Sequence, residues 1–135
     1  MRNGNWLRPL LLTSLLLAGC SLSPEEKVGR EQALKQTVDA FSQSIVQGKW
    51  DEVFKLSDGG FENSDKLKRL LMKSWAQDGT LTGGEIASMA WVSDTLAKVK
   101  LNWTFQLGSV ETFSSETFVW AWNGTAWKYK GRSLR

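Results

Sequence analysis

Hydrophobic and polar residues alternate without interruption along residues 97–107. Every second residue from Ala97 to Leu107 is apolar, and every residue between them is polar. Because successive side chains of a strand point to opposite faces, this alternation predicts a strand with one buried face. Three more strands are predicted near 85–92, 111–122 and 125–132. The second half of the chain therefore predicts a four-stranded antiparallel meander.

The first half of the chain has the spacing of helices. Leu34, Val38, Phe41 and Ile45 recur at intervals of four, three and four, so they share one face of a helix. This helix is predicted from about residue 25 to 47 and ends at Gly48. A second helix is predicted from Trp50 to near Ser57. A third follows a cap at Asn63 or Ser64 and ends before Asp78-Gly79. The expected fold class is α+β, with three N-terminal helices packed on a curved four-stranded antiparallel sheet.

Turn residues fix an expected register. Two-residue turns at Gly108-Ser109 and Asn123-Gly124 pair Val99 with Phe118, Phe118 with Tyr129, and Trp120 with Trp127. One face of the sheet then collects the apolar residues Val99, Leu101, Trp103, Phe105, Phe118, Trp120, Trp122, Trp127 and Tyr129. A three-residue turn at Ser93-Asp94-Thr95 adds Ala87, Met89 and Trp91. We expect this face to form most of the core, with Trp103, Phe105, Phe118, Trp120, Trp127 and Tyr129 as candidate pocket residues.

Glu116 interrupts this apolar face. The register places it inward, opposite Leu101, where a lone carboxylate is unfavourable unless it is paired, protonated or hydrated. One interpretation places Glu116 at the open rim of the sheet or in a salt bridge to a helix residue. The other makes it the polar anchor of an apolar pocket.

The opposite face of the sheet is basic in the expected register. Five cations share it, with no carboxylate among the nine positions considered: Lys98, Lys100, Lys128, Lys130 and Arg132. One interpretation is a solvated face kept soluble by lysines. The other is a patch that binds anionic headgroups, an envelope polymer or an acidic protein.

The N-terminus has the pattern of a secretory leader. Arg2 and Arg8 precede a leucine-rich run that is too short to span a membrane, and small residues follow it. The sequence Leu17-Ala18-Gly19-Cys20 resembles the lipobox of bacterial lipoproteins. This resemblance implies cleavage before Cys20 and acylation of that residue, including palmitate. The expected divisions are a signal peptide at 1–19, a lipidated tether at 20–24 and one domain at 25–135. An ordinary cleaved leader with an incidental Cys20 is the alternative.

Composition narrows the classes of function. Lys and Arg number 17 and Asp and Glu number 14, but Arg2 and Arg8 fall in the leader, so the mature chain is almost neutral. Bulk charge therefore gives no argument for nucleic-acid binding. The chain has no His and only one Cys, which excludes an internal disulfide, a Cys/His zinc site and a nucleophile–His pair. No cofactor and no metal are expected.

Two segments resemble nuclear transport factor 2-like (NTF2-like) domains. Residues 41–56 combine an apolar helix, the break Gly48-Lys49-Trp50-Asp51 and a short second helix. Residues 118–129 combine an aromatic strand, a turn through Gly124 and a strand that begins Trp127-Lys128. The resemblance implies a sheet that wraps a helix and leaves a pocket.

The expected function is a non-catalytic ligand- or partner-binding module anchored by lipid in a bacterial cell envelope. In a host with two membranes, the resemblance to bacterial lipoproteins implies, through the sorting rule of enteric bacteria, that Ser21 directs the protein to the periplasmic face of the outer membrane. An apolar small ligand or an envelope protein is the expected partner, and a homodimer formed through Trp side chains is a further hypothesis. The alternative is a small isomerase- or dehydratase-like enzyme that uses Glu116 and Tyr129.

Overall fold

The computed structural model describes residues 22–75 and 78–133. Within these ranges, three helices precede four strands. They are α1 (Pro24–Val46), α2 (Trp50–Lys55), α3 (Ser64–Lys73), β1 (Thr80–Ser93), β2 (Leu96–Leu107), β3 (Val110–Trp122) and β4 (Trp127–Arg132). The strands form one antiparallel sheet in the order β1-β2-β3-β4, which confirms the predicted α+β fold. The leader and Cys20 lie outside the described residues, so the predicted domain divisions stay predictions.

The chain divides into two compact units between Gln32 and Ala33, within α1. The described part of the first unit contains the start of that helix. There the Ser23 hydroxyl accepts a hydrogen bond from the Glu26 amide at 3.2 Å, and the Glu26 carboxylate accepts one from the Ser23 amide at 3.3 Å. This reciprocal pair is a capping box, which satisfies amides that the first helical turn leaves unpaired. No helix in the described ranges is long and apolar enough to cross a membrane.

The second unit contains all of the buried core found in the described residues. Helical side chains at Leu34, Val38 and Phe41 pack with the apolar face of the sheet. The Phe41 ring meets Trp120 edge-on, with 5.0 Å between ring centroids, and Phe118 edge-on at 5.9 Å. Because this unit has its own hydrophobic core, it has the property expected of a domain that folds alone.

The register between β2 and β3 is confirmed along its whole length. Val99 pairs with Phe118, Ala97 with Trp120 and Leu107 with Val110. Gly108 has a φ of 63°, a conformation that favours glycine in a tight turn.

The predicted register between β3 and β4 was wrong by two residues. Trp122 pairs with Trp127 and Trp120 with Tyr129, so the loop contains four residues instead of two. Asn123 explains the longer loop, because its side-chain oxygen accepts hydrogen bonds from the amides of Thr125 at 3.0 Å and Ala126 at 2.9 Å. A shift of two residues keeps every side chain on its predicted face. Trp127 and Tyr129 are therefore buried as expected.

β1 is longer than predicted and contains bulges. Met89 pairs with Val99 and Trp91 with Ala97, as expected, but the register shifts between Ile86 and Ser88. Ala87 is exposed at this shift, and Ile86 packs against the core in its place. The prediction that Ala87 joins the inner face was therefore wrong, because a bulge reverses the alternation of side chains beyond it.

Candidate functional site

A cavity of about 500 Å³ lies where the end of α1, the start of α2, α3 and the start of β1 come together. Its apolar walls are formed by Ile45, Val46, Trp50, Met72, Trp75, Leu81 and Phe105. Gln47, Lys68 and Thr80 are its polar lining residues, and Gly48 and Gly79 complete it. Its volume lies within the range of about 300–1,000 Å³ that is usual for small-molecule sites.

Two glycines set the backbone path around this cavity. Gly48 ends α1 with a φ of 74°, so the chain turns there and carries Trp50 back towards the cavity. Gly79 has a φ of 102°, and a Cβ at this position would collide with the backbone carbonyl of Gln106. The close approach at Gly79 brings the start of β1, with Thr80 and Leu81, into the wall.

The electrostatic character of the cavity comes from one side chain. Lys68, on the exposed side of α3, is the only titratable side chain among the described residues of the lining. Its ammonium group has no hydrogen-bond or ion-pair partner in the part of the chain that the structure describes. The indole of Trp75 directs its N–H away to the Glu116 carboxylate. The cavity therefore combines apolar walls with a single positive charge.

Most of the pocket residues predicted from the sequence lie in the core instead of lining this cavity. Trp103, Phe118, Trp120, Trp127 and Tyr129 are fully buried, and only Phe105 of the predicted set also lines the cavity. Trp103 and Trp120 each bury an indole N–H without a hydrogen-bond partner in the described residues. The large rings fill the space inside the sheet that an empty pocket would require.

Sequence reasoning missed the residues that do line the cavity. Trp50 and Trp75 belong to the predicted apolar stripes of their helices, which indicates only that they face the core. Met72 lies outside the predicted stripe and is 44% exposed. A usable signal was present in the two glycines, because Gly48 stands two residues before Trp50 and Gly79 two residues before Leu81. At both glycines the backbone turns next to a large apolar side chain, and the cavity lies between these two turns.

Glu116 is paired, as one of the two interpretations expected, although its partner is a strand residue. Its carboxylate lies 2.7 Å from Nε of Arg132 and accepts a hydrogen bond from Trp75 Nε1. Arg132 also donates to the backbone carbonyl of Leu71 at 2.7 Å. The two charged side chains are 18% and 25% exposed, so the pair is shielded from solvent. This arrangement links β3, β4 and the end of α3.

Arg132 is therefore not on the outer basic face, and that prediction was wrong. The register shifts between Val119 and Trp120, so that Val119 pairs with Gly131 and Trp120 with Tyr129. Lys130 is the extra residue in β4, and Gly131 has a φ of 140°. Because one inserted residue reverses the faces beyond it, Arg132 pairs with Phe118 and points inward.

Tyr129 has an enclosed hydroxyl group. The residue is fully buried, and its hydroxyl has no hydrogen-bond partner among the described residues. Burial raises the pKa of this phenol well above its usual range, because an ionised oxygen would lose its hydration; Arg132 lowers that pKa in part, and Glu116 raises it.

The outer face of the sheet has fewer free cations than the sequence predicted. Lys128 donates to the backbone carbonyl of Lys55 at 2.7 Å, and Lys130 lies 3.7 Å from the Asp58 carboxylate. Lys98 and Lys100 remain on this face of β2 without a partner in the described ranges. The loop after α2 thus supplies a carboxylate that strand alternation alone could not reveal.

The described residues contain no group of three or more His, Cys, Asp or Glu side chains that could hold a metal ion.

Comparison with known proteins gives a fold and no family. No family model and no curated protein matches the chain. An NTF-2-like protein of unknown function from Shewanella oneidensis matches with a TM-score of 0.55 and 12% identity, over 76% of this chain and 95% of that one. A candidate calcium/calmodulin-dependent protein kinase II association domain from Xanthomonas campestris matches with a TM-score of 0.49 and 12% identity, over 70% and 79%. The chain has an NTF2-like fold, as the sequence resemblance implied.

Proposed function

We propose that this protein is a non-catalytic binding module, anchored by lipid at Cys20 in a bacterial cell envelope, that holds an apolar small molecule in the cavity beside α3. The cavity is the observation that supports this function most directly. It combines a suitable volume with seven apolar lining residues. Burial of apolar surface contributes about 25 cal/mol per Å², which is the main source of affinity that such walls offer.

The alternative function is a small enzyme that uses Glu116 and Tyr129. The surroundings of both residues favour binding over catalysis. Glu116 is engaged with Arg132 and Trp75, and the Tyr129 hydroxyl is enclosed among aromatic rings. A general acid or base must reach the proton that it transfers, directly or through one water. Unchanged turnover of a candidate substrate by Glu116→Gln would remove this pair as the catalytic machinery.

Binding to the cavity can be tested with the neutral apolar dye N-phenyl-1-naphthylamine and the leaderless chain 21–135, which retains the whole described core. We expect saturable binding and a rise in dye fluorescence. Met72→Trp places a bulky ring in the cavity wall and should weaken binding strongly. Leu70→Trp is the matched control, because Leu70 lies on α3, is 50% exposed and is not part of the lining. Equal binding by both variants would contradict the proposed site.

Anchoring at Cys20 rests on the sequence pattern alone and needs its own test. The intact mass of the membrane-bound protein should correspond to a chain that begins at Cys20 and carries acyl groups. The Cys20→Ser variant should lose the acyl mass and leave the membrane fraction after alkaline extraction, because two or three acyl chains on Cys20 would hold the wild-type protein there. Normal processing and retention of Cys20→Ser would overturn the anchoring, including the proposed envelope location.

A further inference from the structure

We propose that the natural ligand of the cavity is an apolar molecule with a single anionic group, such as a carboxylate, which Lys68 attracts at the cavity rim. This inference rests on the proposed binding function and adds the chemical class of the ligand. Its basis is the asymmetry of the lining: the apolar walls would surround the body of the ligand, and one ammonium group would face its polar end.

The polar lining residues favour an anion over a neutral or cationic end group. Gln47 and Thr80 provide uncharged hydrogen-bonding groups, and Lys68 provides the only formal charge among the lining residues that the structure describes. The nearest competing carboxylate on the same helix is Asp65, one turn earlier, which shares a shallow depression with Lys68 and Arg69. No ion pair joins Asp65 to Lys68 in the described residues, so the Lys68 ammonium group stays available for a ligand.

The exposed position of Lys68 favours a role in binding an anion over a role in packing the core. It is exposed, whereas Leu67 and Leu71 on the same helix are fully buried. A lysine at a rim can approach the ligand with its ammonium group while its methylene stem covers apolar surface. Replacing this residue should therefore change the preference for charge without disturbing the core.

The test compares three ligands with the same ten-carbon chain and different end groups. Decanoate, decanol and decylamine each displace N-phenyl-1-naphthylamine from the leaderless chain at pH 7 and low ionic strength, below their micellar concentrations. We expect decanoate to bind roughly fivefold more tightly than decanol, because its carboxylate forms a partly solvated ion pair with the Lys68 ammonium group. Decylamine should bind most weakly. Added salt should reduce the advantage of decanoate.

Variants of α3 test whether Lys68 is responsible for the preference for decanoate over decanol. Lys68→Gln should remove the advantage of decanoate over decanol, and Lys68→Glu should reverse the order in favour of decylamine. Lys73→Gln is the matched control, because Lys73 is exposed on the same helix and is not part of the lining. It should keep the preference of the wild type.

The outcomes separate this inference from the function on which it rests. If the dye does not bind, or Met72→Trp binds it as well as Leu70→Trp does, the cavity is not a binding site and the proposed function fails. If the dye binds but decanoate and decanol compete equally, the proposed function stands and the anionic class is wrong. If Lys68→Gln and Lys73→Gln reduce the preference alike, Lys68 is not the determinant.

Discussion

Arg132 shows how one residue can determine the chemistry of another. Its side chain reaches Glu116 only because Lys130 is inserted into β4 and Gly131 adopts a φ of 140°. The ion pair that results is partly shielded and is supported by Trp75 and by the Leu71 carbonyl. We infer that it joins the sheet to the end of α3.

The first prediction concerns the stability that Glu116 provides. Glu116→Gln keeps an oxygen for Trp75 but leaves the Arg132 guanidinium without an opposite charge. We expect the free energy of unfolding in urea to fall by about 2 kcal/mol. Glu85→Gln is the control, since Glu85 is exposed on β1, and it should stay within about 0.5 kcal/mol of the wild type. Equal losses in both variants would mean that the partly shielded ion pair contributes no more to stability than an exposed carboxylate does.

The second prediction concerns alkaline pH and Tyr129. The pKa of the folded phenol lies above its ordinary value of 10.0, so above that pH the folded state retains a proton that the unfolded state releases. The contribution of this group to stability is therefore complete below pH 10 and falls as pH rises, by up to about 1.4 kcal/mol per pH unit.

The matched variant for this effect is Tyr129→Phe, which removes a hydroxyl that has no partner in the described structure. Its unfolding free energy at pH 7 should be equal to or above that of the wild type, and its decline above pH 10 should be shallower. Urea unfolding at several pH values measures both quantities. Identical slopes for the two proteins would show that Tyr129 does not control the alkaline decline.

At the scale of elements, the strand faces were predicted correctly even where the predicted turn was wrong. The faces of Trp127 and Tyr129 were correct although the β3–β4 register was wrong by two, because strand periodicity is itself two. Arg132 was misplaced because a bulge changes register by one, and no alternation in a six-residue strand reveals it. Periodicity thus predicted the core well, whereas ion pairs and the cavity depend on contacts between elements that are distant in sequence.

The third prediction concerns the loop between β3 and β4. Asn123 accepts hydrogen bonds from the amides of Thr125 and Ala126 and from the Thr125 hydroxyl. Asn123→Ala removes this acceptor and should lower the free energy of unfolding by about 1–2 kcal/mol. Asn123→Asp retains a side-chain oxygen and should lose much less. Comparable losses would indicate that the loop is held by its strands alone.

At the scale of the whole chain, the two ends of the described region differ in their relation to the core. All the buried core residues of the described ranges fall between Leu34 and Tyr129. The N-terminal turns of α1 contribute a capping box, whereas the C-terminal residues contribute Arg132 and the last pairs of β4. The number of residues that a truncation removes is therefore a poor guide to the free energy of unfolding that is lost.

The fourth prediction follows from this difference and compares two truncations of the leaderless chain. A chain of residues 29–135 loses the capping box and should be less stable than 21–135 by about 1 kcal/mol. A chain of residues 21–129 is shortened by fewer residues but leaves the shielded Glu116 carboxylate without Arg132, and it should lose at least about 3 kcal/mol. Urea unfolding followed by Trp fluorescence measures both losses. Part of the larger loss should be recovered when Glu116→Leu is added to the 21–129 chain, because the unpaired charge is then absent while the last β4 pairs are still missing. If the N-terminal truncation proves the more damaging of the two, the stability assigned here to the Arg132–Glu116 pair is wrong.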